Sequence, residues 1–107
     1  MAMNLYEAAQ ERIIITAHRG VSGGNIPCNT YASYEIALKQ GADMIETDLN
    51  MTKDGVLCIF LPKMEKNHLH RDVHIEEMSW EEVSALRFVN YDRAPTQFGL
   101  MRFDEFL

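Results

Sequence analysis

The sequence predicts an α/β chain built on a parallel strand–helix–strand unit, and three observations predict it. A continuous β-branched run, Ile13-Ile14-Ile15-Thr16-Ala17, comes first, and a helical pattern from Tyr31 to Gln40 follows. A second apolar run begins at about Asp43 and closes on Glu46-Thr47-Asp48. A short run without polar alternation suits a strand covered on both faces, as in parallel sheets. Strand, helix and strand in that order make a parallel crossover. A length of 107 residues leaves room for one domain, residues 1–107, with a modest core, and 47% hydrophobic composition fits a globular chain.

Each element follows from local chemistry. Asn4 to Arg12 reads as a short helix or a frayed arm. Asn29 or Thr30 can cap the Tyr31 to Gln40 helix, with Tyr31, Tyr34 and Leu38 on one face and Glu35 four residues before Lys39. Gly41 is placed to end that helix. A third strand covers Val56 to Leu61. Seven residues separate Asp48 from Val56, too few for a parallel crossover. Leu49 to Lys53 therefore descends in extended form before a turn at Asp54-Gly55, or the segment folds as a plain antiparallel hairpin. Ser79-Trp80-Glu81-Glu82 is a capping box for a helix to about Arg87. Phe88 to Met101 reads as irregular, and Phe103 to Leu107 as the first turn of an amphipathic helix.

Composition excludes several partners. A formal net charge of -6 argues against a nucleic-acid backbone and provides no polybasic patch for membranes. Met1 to Arg12 lacks the apolar core of a signal peptide, and no run approaches the length of an integral membrane segment. Cys28 and Cys58 fit no metal or redox spacing, which predicts reduced thiols and a cytoplasmic location.

Glu46 and Asp48, two apart on a strand, project from the same face roughly 6.5 Å apart along the chain. Carboxylates that close repel unless a cation lies between them, and oxygen ligands suit Mg²⁺ or Ca²⁺. A solvated edge strand is the plainer reading of this tripeptide taken alone. His18 and Arg19 follow the first strand, and in a parallel α/β sheet the carboxyl ends of strands gather at one rim. A metal, an imidazole for proton transfer and a guanidinium for phosphate are the parts needed to cleave a phosphodiester.

The layout His18-Arg19-Gly20, Pro27-x-Asn29-Thr30, Glu46-x-Asp48 and Thr52-x-Asp54-Gly55 resembles the glycerophosphodiester phosphodiesterase family. The match runs from about Ile14 to Phe60, with weaker likeness to Glu105. The resemblance implies a partial TIM-barrel-like (β/α) sheet, roughly the first three strands of a barrel that takes ~250 residues when whole. It implies hydrolysis of a small-molecule glycerophosphodiester to glycerol phosphate and an alcohol, with the substrate's neighbouring hydroxyl as attacking group. It also implies that Glu46 and Asp48 hold a divalent metal, Mg²⁺ or Ca²⁺. In the same terms His18 acts as general acid or base and Arg19 contacts the phosphate. Cys28 stands where the family pattern has Glu, and Leu61 stands where it has a second catalytic histidine. Turnover is therefore expected to be impaired. A non-catalytic phosphate-ligand-binding or assembly module is the alternative.

His68, His70 and His74 form a transition-metal pattern if they alternate on a strand, although no clear carboxylate partner accompanies them. A polar surface loop is the plainer reading, and a third has His68 or His70 replacing the histidine missing at Leu61. Gly20, Gly23 and Gly24 either let backbone amides approach a phosphate or form a loop needing positive φ. Tyr31, Tyr34, Met44, Trp80 and Phe88 read as core. Lys63, Lys66 and Arg71 read as a solvated face. Three strands cannot close a barrel, so the exposed apolar surface predicts a homo-oligomer.

Overall fold

The computed structural model describes residues 4–107; Met1 to Met3, the start of the stretch read as lacking a signal peptide, lie outside the described residues. Helix α1 (Leu5–Glu11) is capped by Asn4, whose Oδ1 accepts the Glu7 N–H at 2.8 Å. Strand β1 (Thr16–His18) pairs in parallel with β2 (Met44–Glu46), in the register Thr16–Met44, Ala17–Ile45 and His18–Glu46. The predicted crossover is therefore present, and its register sets His18 beside Glu46.

Among the described residues the cover expected over strand one is not found: Ile13 is 85% exposed and Ile15 57%. The strand begins only at Thr16 and pairs on one edge, with β2. What holds the approach is polar, since Asp43 Oδ2 accepts the Ile15 N–H and Asp43 Oδ1 accepts from Arg12.

Helix α2 (Tyr31–Lys39) starts at Thr30, which exchanges hydrogen bonds with Ser33 in a capping box. Its buried face is Ser33, Tyr34 and Ala37, while Tyr31 and Leu38 face outward. The small Ser33–Ala37 edge allows close approach to the loop after β1, and Ser33 O accepts the Val21 N–H at 2.9 Å. Larger Tyr31 and Leu38 are turned out, against expectation. The Glu35–Lys39 ion pair forms at 3.0 Å.

Strand β3 (Leu49–Met51) and β4 (Leu57–Ile59) form an antiparallel hairpin, so the plain hairpin is the solution the chain adopts. Strand two stops at Glu46, and Asp48 lies in the link that follows. Beyond β4 come α3 (Glu65–Leu69), a 3-10 turn (Ile75–Glu77) and α4 (Trp80–Ser84), whose Ser79–Glu82 capping box is present. Asp54 does more than turn the chain, because its Oδ1 accepts the Trp80 N–H at the start of α4.

The stretch expected to be irregular is a second hairpin, β5 (Arg87–Val89) with β6 (Pro95–Gly99). Pro95 is tolerated as the first residue of its strand. Asn90 Oδ1 organises the turn by accepting from Asp92 and Ala94. Strand β7 (Met101–Arg102) then adds antiparallel to β4, and α5 (Phe103–Phe106) follows as expected.

The main core lies under the hairpins: Cys58, Phe60, Leu69, Ile75, Val83, Leu86, Phe88 and Leu100. Phe60 stacks on Phe88 with centroids 5.8 Å apart. Each large apolar side chain buried there contributes about 1.5–3 kcal/mol. Tyr34, Trp80 and Phe88 are buried or packed as expected, whereas Tyr31 and Met44 are exposed. This core fixes α3 beside the rim where β1 and β2 end. No described helix is long and apolar enough to cross a membrane.

Candidate active site

The site starts with a backbone turn. After His18 the chain enters the left-handed region at Arg19, φ 61°, and Gly20, φ 83°. A Cβ at Gly20 would come within 2.5 Å of Ser33 Oγ and 2.7 Å of Ser33 C, so no side chain fits there. Arg19 N–H donates to Glu46 O at 2.9 Å, and Arg19 O accepts from Asn29 N and Ser33 Oγ. The turn thus ties β1, β2 and the start of α2 at one point.

The predicted residues meet there in two pairs. His18 Nε2 lies 3.6 Å from Glu46 Oε2, and Arg19 Nε lies 3.1 Å from Asp48 Oδ2. The first pair is open to solvent, with the His18 side chain 70% exposed; the second is largely enclosed. Asp48 Oδ2 also accepts from Asn29 Nδ2 at 3.0 Å, and the buried Asn29 accepts from Tyr34 OH at 2.9 Å. Burial, and then the negative charge of Asp48, push the Tyr34 hydroxyl's pKa upward, which keeps it a donor. Asp48 O accepts the Phe60 N–H, which brings the end of β4 and so Leu61 to the same rim. Asn29 and Tyr34, expected as a helix cap and a core residue, are what hold Asp48 at this candidate site. The Asn in the Pro27-x-Asn29-Thr30 motif was the available signal.

Glu46 Oε2 is buried and accepts no hydrogen bond. A carboxylate oxygen without a hydrogen bond, with only His18 Nε2 at 3.6 Å, has the chemistry to take an oxygen-ligated cation. Cys28 borders the pair. Burial raises its thiol pKa, while hydrogen bonding to Arg19 pulls in the opposite direction. Both Cys28 and Cys58 are free thiols.

The three histidines are not on a strand and do not share a face. His68 lies in α3, His70 is its left-handed cap at φ 54°, and His74 precedes the 3-10 turn. His74 does have carboxylate company that the sequence reading did not find. Its ring groups with Glu65 and Glu76, their ligand atoms within 4.8 Å of one another. Glu65 is buried and accepts the Ile75 N–H at 3.1 Å, a fold-holding use. His68 instead lines a cavity of about 260 Å³ with Pro27, Cys28, Asn67, Phe88 and Arg93. Lys63, Lys66 and Arg71 are exposed, a solvated face as read.

Parallel strands that gather a histidine–arginine pair and two carboxylates at one rim are laid out as in an α/β barrel, where functional groups collect at the carboxyl ends of the strands. Residues 18–107 match the glycerophosphoryl diester phosphodiesterase family, and the chain belongs to that family. It is 55% identical over 49 residues to a glycerophosphodiester phosphodiesterase of Bacillus subtilis, covering 46% of this chain and 16% of that protein. The crystal structure of glycerophosphodiester phosphodiesterase from Agrobacterium tumefaciens superposes with a TM-score of 0.77 at 29% identity, over 90% of this chain and 42% of that one. An Oleispira antarctica phosphodiesterase in complex with the product sn-glycerol-3-phosphate gives a TM-score of 0.71 at 26% identity, over 90% and 39%. The chain therefore spans less than half the length of each of these proteins. The fold is α/β and barrel-like, matching the barrel enzymes over most of this chain.

Proposed function

We propose that the chain carries the metal-binding and phosphate-binding rim of an enzyme that hydrolyses glycerophosphodiesters. The observation that supports this most directly is the double pairing at adjacent parallel strand ends, His18 with Glu46 and Arg19 with Asp48. The Oleispira enzyme's sn-glycerol-3-phosphate product supports the substrate class. Glu46 and Asp48 would hold Mg²⁺ or Ca²⁺, which when bound supplies Lewis-acid charge neutralisation at a phosphoryl oxygen.

The other steps belong to the chain's own groups. Arg19 presents a planar guanidinium to the phosphate, and Asp48, Asn29 and Tyr34 hold it in place. His18, exposed at the strand end with a carboxylate beside it, hands a proton to the departing alcohol oxygen. The substrate is a small anionic diester. Two free thiols support a cytoplasmic location.

A second reading, a phosphate-ligand-binding or assembly module without turnover, is favoured by one observation. Leu61, which offers no proton-transfer group, occupies the rim position after Phe60. The experiment is hydrolysis of glycerophosphocholine by the 107-residue chain in Mg²⁺ or Ca²⁺, with binding of sn-glycerol 3-phosphate measured alongside. Turnover lost in His18→Ala and Arg19→Ala supports the enzyme. Arg19-dependent binding without turnover supports the module, and turnover that survives His18→Ala shows that the site lies elsewhere.

A further inference from the structure

His68 is a second imidazole, near enough to feel the charges of Arg19 and Asp48, and the reading above leaves it unused. Its ring packs edge-on against Phe60, centroids 5.8 Å apart at 74°, and Phe60 is itself fully buried and stacked on Phe88. The core therefore fixes the ring's position. Its Nδ1 is buried without a hydrogen-bond partner. Unsatisfied buried nitrogens are rare in folded chains, and a catalytic role is one of the few explanations for them.

The surroundings connect this ring to the phosphate side. His68 and Cys28 line the same cavity, and Cys28 lies against the Arg19 guanidinium. Arg93 puts a cation on the cavity wall itself. At about 260 Å³ the space approaches the lower end of small-ligand sites, which begin at roughly 300 Å³. Burial first, and then the Arg19 charge, lower the imidazole's pKa, so that the ring is available as a proton acceptor.

We propose that His68 is the second proton-transfer group of the phosphodiester cleavage, acting from the cavity side while His18 acts from the strand end. The proposal rests on the phosphodiesterase reading of the site. As the attacking hydroxyl oxygen bonds to phosphorus, its proton passes to His68. As the bond from phosphorus to the alcohol oxygen breaks, that oxygen takes a proton from His18. One proton is accepted and one given in this step, which leaves a cyclic phosphodiester. Water then opens the ring, giving its proton to His18 while His68 returns its own to the departing ring oxygen, so both imidazoles are restored.

The test uses the 107-residue chain in Mg²⁺ with glycerophosphocholine as substrate and sn-glycerol 3-phosphate as binding probe. His68→Gln is expected to lose on the order of 10²- to 10⁴-fold in kcat with KM little changed. It should also lose the acidic limb of the kcat pH profile, while still binding sn-glycerol 3-phosphate. In the wild type, the His68 ring resonances should move when sn-glycerol 3-phosphate is added, a readout that needs neither turnover nor a folded variant. Unmoved resonances overturn the role of His68, as does a His68→Gln variant with full turnover beside an inactive Arg19→Ala. In either case Arg19-dependent binding leaves the phosphodiesterase reading standing. A wild type that neither binds sn-glycerol 3-phosphate nor turns over substrate overturns both.

Discussion

Arg19 and Asp48 stand as an ion pair without a directed hydrogen bond. Arg19 Nε is 3.1 Å from Asp48 Oδ2, yet the nitrogen is buried and has no hydrogen-bond partner of acceptable angle. Asp48 Oδ2 spends its good geometry on Asn29, which Tyr34 holds in turn. The guanidinium is left attracted but poorly saturated, and a phosphate offers the in-plane acceptors it lacks. The carboxylate steers the cation, and under the proposed function a phosphate would complete its contacts.

Asp48 and Glu46 together should bind a hard cation. Isothermal titration of the wild type with Mg²⁺ or Ca²⁺ is expected to show weak binding that Asp48→Asn abolishes. Weakness follows from having two carboxylates where full oxygen cages use six or more ligands for Ca²⁺. Identical traces for wild type and variant would remove the metal role from this pair.

Leu61 lies at the rim because Phe60 N–H is bonded to Asp48 O. Leu61→His together with Pro62→Asp is expected to raise turnover of glycerophosphocholine, by as much as the roughly 10²- to 10⁴-fold that a positioned acid or base contributes. In a His68→Gln background the gain should be larger, since the rim would otherwise hold a single imidazole. An unchanged rate in both backgrounds would show that position 61 does not face the substrate.

Asp43 ties the chain before β1 to the start of β2. Its carboxyl is held below its ordinary value of 3.8, first by the Ile15 N–H it accepts and then by hydrogen bonding to Arg12. A carboxyl whose pKa falls on folding stabilises the fold above the unfolded value. That stabilisation disappears as pH drops through the lower folded value. Asp43→Asn should therefore be less stable than wild type to urea at about pH 6, with the gap narrowing below about pH 3.8. A gap independent of pH would mean that ionisation of the Asp43 carboxyl does not contribute to stability.

Apolar exposure around β1 and α2 predicts self-association of the 107-residue chain. Ile13, Ile15, Tyr31 and Leu38 are each more than half exposed. Such a surface suits an interface between copies, which would also bring two sets of His18, Glu46 and Asp48 into one assembly. Light scattering after size exclusion should give a dimer or larger closed species. A monodisperse monomer at micromolar concentration that unfolds cooperatively would show these faces to be tolerated in water.

The amino-acid sequence by itself determined the pieces with local causes. Thr30 and Ser79 cap their helices, Gly41 ends α2, Asp54-Gly55 turns the chain, and the motif residues stand at strand ends. That His18, Arg19, Glu46 and Asp48 would gather at one rim was legible too, since residue type and spacing carry them. Tertiary structure decided what depends on partners distant in sequence. Only the register of β1 against β2 pairs His18 with Glu46, twenty-eight residues away. The face that α2 buries was set by close approach to Gly20, a contact no helical periodicity encodes. The β5–β6 hairpin, hidden in a stretch without clear alternation, became visible through Asn90's turn bonds and Phe88's burial against Phe60. His68 reads from sequence as one of three histidines in a polar loop. Packing against a phenylalanine eight residues earlier turned it toward the cavity and left its nitrogen unpartnered, because side-chain burial is a property of the assembled core.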